Sequence, residues 1–351
     1  MPHTKSRSIV WFNFFSNNAP SVRYRGTYLL DHLGKRGISS EHYLPKRSLS
    51  SFLRLSILVT KLLFTRTATI VVVQRVSSFG FYARLLKVLI RFRKRTHYFY
   101  YDLDDAIYEE MANDAQIRWF MQHFHQVIVG SEELVRYAKQ WNSNVRLITT
   151  PVVSTDLKAS PTFSDRLTLG FIGCYWGTHY QNMQDWVLPA LIELDFPVTL
   201  EIIGAEKDKE RQLTEKFLAG SSVTLVFKAI NDWMDEDEIN TAMMNWDLGL
   251  APLNDTVVCR AKSAFKVKQY LNMGIPAVST IVGENPKFIQ NRHNGFLYET
   301  IDELKMILTN YYHLSEQERI LFRNKAKNSA SEFQLENISK EWINALKDQL
   351  L

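Results

Sequence analysis

Two kinds of hydrophobic pattern alternate along the chain. Short β-branched or aromatic runs at 9–14, 68–73, 98–101, 126–129 and 145–148 read as buried strands. Between them, apolar residues return every third or fourth position at 22–35, 49–64 and 79–92, the spacing of amphipathic helices. Ser131, followed by Glu132 and Glu133, reads as the cap of another helix. Strand and helix in alternation predict crossover connections and therefore a parallel sheet. After residue 150 the pattern starts again. Strands are expected at 167–172, 198–203, 223–227, 247–251 and 275–279, and helices at 206–218 and 234–246. Phe265, Tyr270, Leu271 and Met273 share one face of a further helix that opens at an N-cap, Ser263, and stops at Gly274. The tail carries Phe333, Ile338, Trp342 and Leu346 at helical spacing. The polar stretch 158–165, with Pro161, is the best linker. The chain thus reads as an α/β domain over 1–150, a second over 151–330, and a helix over 331–351 that packs back toward the first.

Composition narrows the class. The 351 residues suffice for two ordinary domains, and 46% hydrophobic content with 23% charged is that of a globular protein. Cys174 and Cys259 stand far apart, which argues against a disulfide framework or a zinc site and for a reducing compartment. The start has no signal-peptide layout, and the apolar stretch 52–64 carries Arg54 and Lys61, too short and too charged to span a bilayer. The expected location is therefore the cytoplasm. Charge changes the picture more. Residues 1–150 hold 22 Lys and Arg against 10 Asp and Glu, whereas the rest holds 20 against 27. A basic half on an otherwise acidic chain points to a polyanionic partner. The helices at 49–64 and 79–92 set Arg and Lys among Leu, Ile and Val, and the second runs into Arg91-Phe-Arg-Lys-Arg95. Such helices can lie in the headgroup layer of an anionic membrane, although a pair packed on a sheet with basic outer faces has the same pattern. Nucleic acid is the weaker alternative, because no groove-reading or RNP-like motif is present.

Candidate chemistry falls at strand ends. Asp102, Asp104 and Asp105 crowd the end of the 98–101 run, where open α/β sheets place ligands, and crowded carboxylates raise one pKa toward that of a general base. An N-cap with first-turn acids explains the same residues, and one aspartate can cap while another acts. Arg23 and Arg25 open the helix after the first strand, Arg23 being the preferred site residue. The glycine of Gly173-Cys-Tyr-Trp-Gly-Thr-His179 lets a backbone approach a phosphate or sugar. Lys262 and Lys266 flank the helix start near Ser263, a natural seat for a diphosphate, with Arg260 as a further cation. His123 and His125 lack a third ligand and read as packing residues.

The run Lys262-Ser-Ala-Phe-Lys266, Gln269-Tyr270, Gly274-Ile-Pro-Ala-Val-Ser279, Gly283-Glu284 and Asn294-Gly-Phe296 resembles the donor half of GT-B glycosyltransferases, the family 4-like or group 1 enzymes. The resemblance implies two Rossmann-like parallel-sheet domains facing a central cleft. It implies a nucleotide-sugar donor (UDP-, GDP- or TDP-linked), no metal and no tightly bound cofactor. The acceptor would be a glycan or lipid-linked, and hexosyl transfer would retain the anomeric configuration. The donor would be held by Gly173, Tyr175 and His179, by Arg260, Lys262 and Ser263, and by Phe265, Lys266 and Gln269. The catalytic groups would be Asp102, Asp104, Asp105 and Arg23. The family's paired glutamates fall on Ala261 and Gln269. Gln269 can still hydrogen-bond a ribose hydroxyl. Two rival readings use the same fold: a non-catalytic nucleotide-sugar binder and a sugar-nucleotide 2-epimerase.

Overall fold

A computed structural model of the chain describes residues 8–46, 48–76, 80–110, 114–157 and 165–350. The expected linker lies outside them except for Asp165. The chain divides into two compact units. One comprises 1–153, 260–263 and 335–351; the other comprises 154–259 and 264–334.

The first unit is built on a six-stranded sheet. Its strands are β1 (Ser8–Phe12), β2 (Ser39–Tyr43), β3 (Ile70–Gln74), β4 (Tyr98–Leu103), β5 (Gln126–Val129) and β6 (Val145–Leu147). Their spatial order is β2-β1-β3-β4-β5-β6, every pair parallel. Five strands were expected in this half, and β2 is the addition. It reads Ser-Ser-Glu-His-Tyr and lies at the sheet edge, so it carries no apolar run to betray it.

Strand alternation divides the core of this unit into two layers. Val10, Phe12, Val71, Val73, Phe99, Tyr101, Val127 and Val129 pack with the helices Leu49–Phe64, Gly80–Arg93 and Asp114–His123. Ile9, Trp11, Ile70, Val72, Tyr100 and Ile128 pack on the opposite side with Leu29, Leu30 and Leu33, and with Ile338, Trp342 and Leu346 of the last helix, Leu335–Leu350. The Trp11 and Trp342 rings lie 5.2 Å apart.

The second unit repeats the plan. β7 (Leu167–Ile172), β8 (Val198–Ile203), β9 (Val223–Lys228), β10 (Leu248–Leu250), β11 (Ala277–Thr280) and β12 (Gly295–Tyr298) form a parallel sheet in the order β12-β11-β10-β7-β8-β9. β12 takes up the Asn294-Gly-Phe296 motif, which reads in sequence as a turn. Asn294 anchors it by accepting from Gln290 N–H and donating to Phe288 O and Ser329 Oγ. Two capping boxes, Thr300 with Glu303 and Ser315 with Glu318, open the helices Ile301–Tyr312 and Glu316–Asn328.

Both sheets have a point where successive connections leave in opposite directions: between β1 and β3 in the first, between β7 and β10 in the second. Parallel sheets of this kind bind ligands beyond the carboxyl ends of the strands at that point.

Candidate active site

In the first unit the carboxyl ends of β3 and β4 carry a compact ionic cluster. Asp102 and Leu103 belong to β4 itself, so the strand runs two residues past its sequence reading. Asp102 is wholly buried, and Arg25 Nε donates to Asp102 Oδ2 at 3.0 Å. Arg25 also donates to Ile148 O at 2.7 Å. Burial alone would lower the Arg25 pKa, but the Asp102 carboxylate more than offsets it and the guanidinium stays charged. Asp102, expected among the catalytic acids, is thus the buried counter-ion of Arg25. Arg23, the preferred of the two arginines, is buried and lies 5.2 Å over the Tyr24 ring, while Arg25 reaches the acids.

Asp104 and Asp105 differ sharply. Lys262 Nζ donates to Asp105 Oδ1 at 3.1 Å and to Oδ2 at 3.3 Å. Burial opposes ionisation of Asp105, yet Lys262 and then Arg75 outweigh it and hold the carboxyl below its ordinary range. Asp104 moves the other way. Burial raises its pKa, and Arg75 and Arg25 only partly offset this. Its Oδ1 is buried and accepts no hydrogen bond among the described residues. The two acids are therefore pushed in opposite directions, Asp105 toward the carboxylate and Asp104 toward the neutral acid.

Lys262, expected at a diphosphate, places its ammonium on Asp105 in this structure. Its neighbours follow the same course. Arg260 Nε donates to Glu133 Oε2 at 3.2 Å, and Ser263 Oγ bonds Thr150 Oγ1 at 3.1 Å. Ala261 is wholly buried and joins the first unit's core. Ser263 is thus not an N-cap. That position falls to Ala264, with φ +55 and no side-chain capping bond.

The helix Phe265–Asn272 belongs to the second unit, and its N-cap residue, Ala264, has no side chain that could cap it. Lys266, in its first turn, lies against the glycine that follows β7. A Cβ built on Gly173 would stand 3.1 Å from Lys266 Cε and 3.3 Å from Nζ, and Gly173 has φ +128. The ammonium sits 5.3 Å over the Phe171 ring. His179 lies on the same aromatic, ring centroids 6.2 Å apart. After β8, Gly204 has φ +91, and a Cβ there would meet the Gly173 carbonyl at 2.6 Å and Trp233 at 3.5 Å. The second unit therefore gathers Gly173, Gly204, Lys266 and Trp233 at the carboxyl ends of its strands. Phe265 is half-buried at the start of the helix, and Gln269 is buried within it. Tyr175 does not join them. It is wholly buried, its hydroxyl bonds Thr214 Oγ1 at 3.0 Å, and it is a core residue.

The histidines expected to pack do so. His123 stacks on Trp119, and His125 stacks on Phe99 and accepts from the Phe99 N–H. Among the described residues no cluster of His, Cys, Asp and Glu has a metal-binding arrangement. Arg75, Gly204 and Trp233 were not expected as site residues, and Arg25 was named only second to Arg23. Arg25 and Gly204 carried a signal, the one in Arg-Tyr-Arg and the other as the glycine after a strand.

Two successive doubly wound parallel sheets of this strand order constitute the GT-B fold. Solved structures of that class superpose along nearly the whole chain. The chain is similar to Anabaena HepE in complex with UDP-glucose, with a TM-score of 0.68, 14% identity, and 97% of this chain and 99% of that one covered. It is also similar to sucrose-phosphate synthase from Thermosynechococcus elongatus, with a TM-score of 0.70, 11% identity, and 97% and 98% covered. The lipopolysaccharide outer core galactosyltransferase WaaB in its apo form gives a TM-score of 0.66, 14% identity, and 98% and 100% covered. At such identities the likeness establishes the fold. No protein-family model matches the chain, and no curated protein matches it.

Proposed function

We propose that the chain is a glycosyltransferase that moves a hexosyl group from a nucleotide-sugar, a UDP-sugar in the first instance, to a lipid-linked or cell-surface polysaccharide acceptor. The observation that carries this reading is Lys266, whose ammonium lies against the Gly173 turn in the first turn of the helix Phe265–Asn272. A cation and the positive end of a helix converge there, where a diphosphate gains from both. HepE, in complex with UDP-glucose, supplies the donor class.

In this reading the second unit holds the donor and the first supplies the acceptor-side carboxylate. The bond between the sugar C1 and the β-phosphate oxygen breaks, and its electron pair leaves on the diphosphate. The acceptor oxygen bonds to C1 and its proton passes to the Asp104 carboxylate. Lys266 and the helix start stabilise charge that grows on the leaving group, so they favour the transition state over the ground state. Retention, the course the resemblance implies, requires the acceptor to approach from the face the diphosphate leaves. The basic, amphipathic helices of the first unit support work at the inner surface of an anionic membrane, where such acceptors reside.

A nucleotide-sugar panel tests the proposal by thermal shift and by release of nucleoside diphosphate. One donor should raise the melting temperature and turn over, and Lys266→Ala should abolish both. Failure of every donor to bind or turn over would end the reading. Binding without turnover would select the non-catalytic alternative, which the burial of Ala261 at the first glutamate's position favours.

A further inference from the structure

Arg75 follows the last residue of β3 with φ +53, in the left-handed region that long side chains rarely enter. Its N–H is tied to the Asp102 carbonyl of the neighbouring strand at 3.0 Å, so the conformation is held in place. β3 borders the reversal point of the first sheet, where such sheets bind ligands. The kink turns the side chain toward the acids. Nε lies 3.6 Å from Asp104 Oδ1 and Nη2 lies 3.9 Å from Asp105 Oδ2, while Nη1 donates to Ser21 Oγ at 3.2 Å. The Phe15 ring covers the guanidinium at 5.3 Å. Both carboxylate distances are too long for hydrogen bonds. The cation therefore acts on the two acids through its field and makes no hydrogen bond to Asp104 Oδ1. Strained backbone persists where its surroundings over-determine it, and it concentrates at functional sites.

We infer that Arg75 is a positioning residue that divides the work of the two carboxylates, holding Asp105 with Lys262 as a fixed ion while its charge stands beside the Asp104 carboxyl that takes the acceptor's proton. The role of Asp104 in this inference rests on the glycosyl-transfer reading. The charged and titratable groups facing Asp104 are Arg75 from β3, Arg25 from the helical segment, Asp102, Asp105 and the buried Tyr101 phenol from its own strand and turn. Arg75 is the cation that most restrains the upward push of burial on Asp104. Its removal should let Asp104 hold its proton to higher pH.

Carbon-detected NMR of protein labelled at aspartate carboxyls tests this without turnover, with Asp104 assigned through Asp104→Asn. In Arg75→Gln the Asp104 titration should move up by about one unit or more, the usual effect of a cation at this range. In Arg75→Lys, which keeps the charge, it should move by much less. Arg75→Gly, which suits the backbone, provides a second charge-free variant should the glutamine protein fold poorly. With a working donor, the acidic limb of kcat should move by the same amount, a shift that a merely structural role would not produce. An Asp104 titration unmoved in both charge-free variants overturns the inference and leaves the enzyme reading intact. A shifted titration in a protein that binds and turns over no donor establishes the electrostatic coupling but overturns the assigned role together with the enzyme reading.

Discussion

Arg25 and Asp102 form a charge pair with no solvent exposure on either side chain, 77 residues apart in the chain. Such a pair is costly to break by halves, because the survivor is left charged and buried. Asp102→Ala should therefore cost about 3–5 kcal/mol of stability, while Arg25→Met with Asp102→Leu should cost clearly less than the two single losses together. Chemical unfolding of the four proteins measures the coupling. Additive losses would show that the pair is not a unit.

The turn after β7 makes a sharper demand. Alanine at Gly173 must take φ +128 and place a methyl 3.1 Å from Lys266 Cε. Only glycine adopts such a backbone freely. Gly173→Ala should lower stability by roughly 1–3 kcal/mol. If Lys266 grips the diphosphate, donor affinity should fall at least ~10-fold as the lysine is pushed aside. Calorimetric titration with the donor that emerges from the panel reads the effect directly. An unchanged affinity would mean that Lys266 reaches its ligand by another path.

The outer faces of the helices Leu49–Phe64 and Gly80–Arg93 expose large apolar side chains, among them Leu49, Leu53, Ile57, Phe64 and Phe92 at 52–79%. Phe52 and Phe81 join the two helices, with ring centroids 4.6 Å apart. Arg54, Lys61, Arg84, Arg91 and Arg95 are exposed on or beside these helices. No helix among the described residues is long and apolar enough to cross a membrane, so the interaction to test is surface binding. The protein should sediment with vesicles containing anionic lipid and release as salt rises. Arg91→Gln with Arg95→Gln removes two charges of about 1 kcal/mol each, so the partition should fall ~30-fold. Equal binding to neutral and anionic vesicles would exclude the electrostatic part of the picture.

How much of this could be read in the sequence followed burial. Interior strands such as Gln126–Val129, Leu167–Ile172 and Val198–Ile203 stand at their expected bounds, because strands covered on both faces are continuous apolar runs. Two of the four edge strands escaped. Ser39–Tyr43 has one neighbour and a polar composition, and Gly295–Tyr298 is short and lies behind a turn motif. Which of Arg23 and Arg25 meets the acids was illegible for a different reason. Residues Arg23–Thr27 form a wide π-type turn, which shifts the face presented by each later residue and defeats an argument from helical spacing. The left-handed turns at Arg75 and Ala264 left no sequence signal, since neither is glycine, asparagine or aspartate. The cluster of acids was legible as a group. Its division of roles was not, because that depends on cations from β3 and from residues 260–263.

The polar end of β1 yields a last prediction, on acid stability. His42 Nε2 meets Asn13 Oδ1, and Asn13 Nδ2 donates in turn to Gln74 Oε1. Burial, with Arg54 nearby, pushes the His42 pKa down from 6.5 to about 4. The folded protein thus binds this proton more weakly than the unfolded chain. The histidine's contribution is complete above the unfolded value near 6.5 and is lost as pH falls toward 4. The gap corresponds to at most ~3 kcal/mol, of which roughly 2 kcal/mol should be gone at about pH 4.5. Glutamine at this position keeps a donor for Asn13 and does not titrate. His42→Gln should therefore match the parent to within about 1 kcal/mol near pH 7 and lose less stability on acidification. Unfolding of both proteins at the two pH values isolates the effect, since the other titrating groups are common to both. Parallel losses would place the acid sensitivity elsewhere, for which Asp105 is the next candidate. Its carboxyl is held below the ordinary range, so its contribution is present at neutral pH and fades only at lower pH than that of His42.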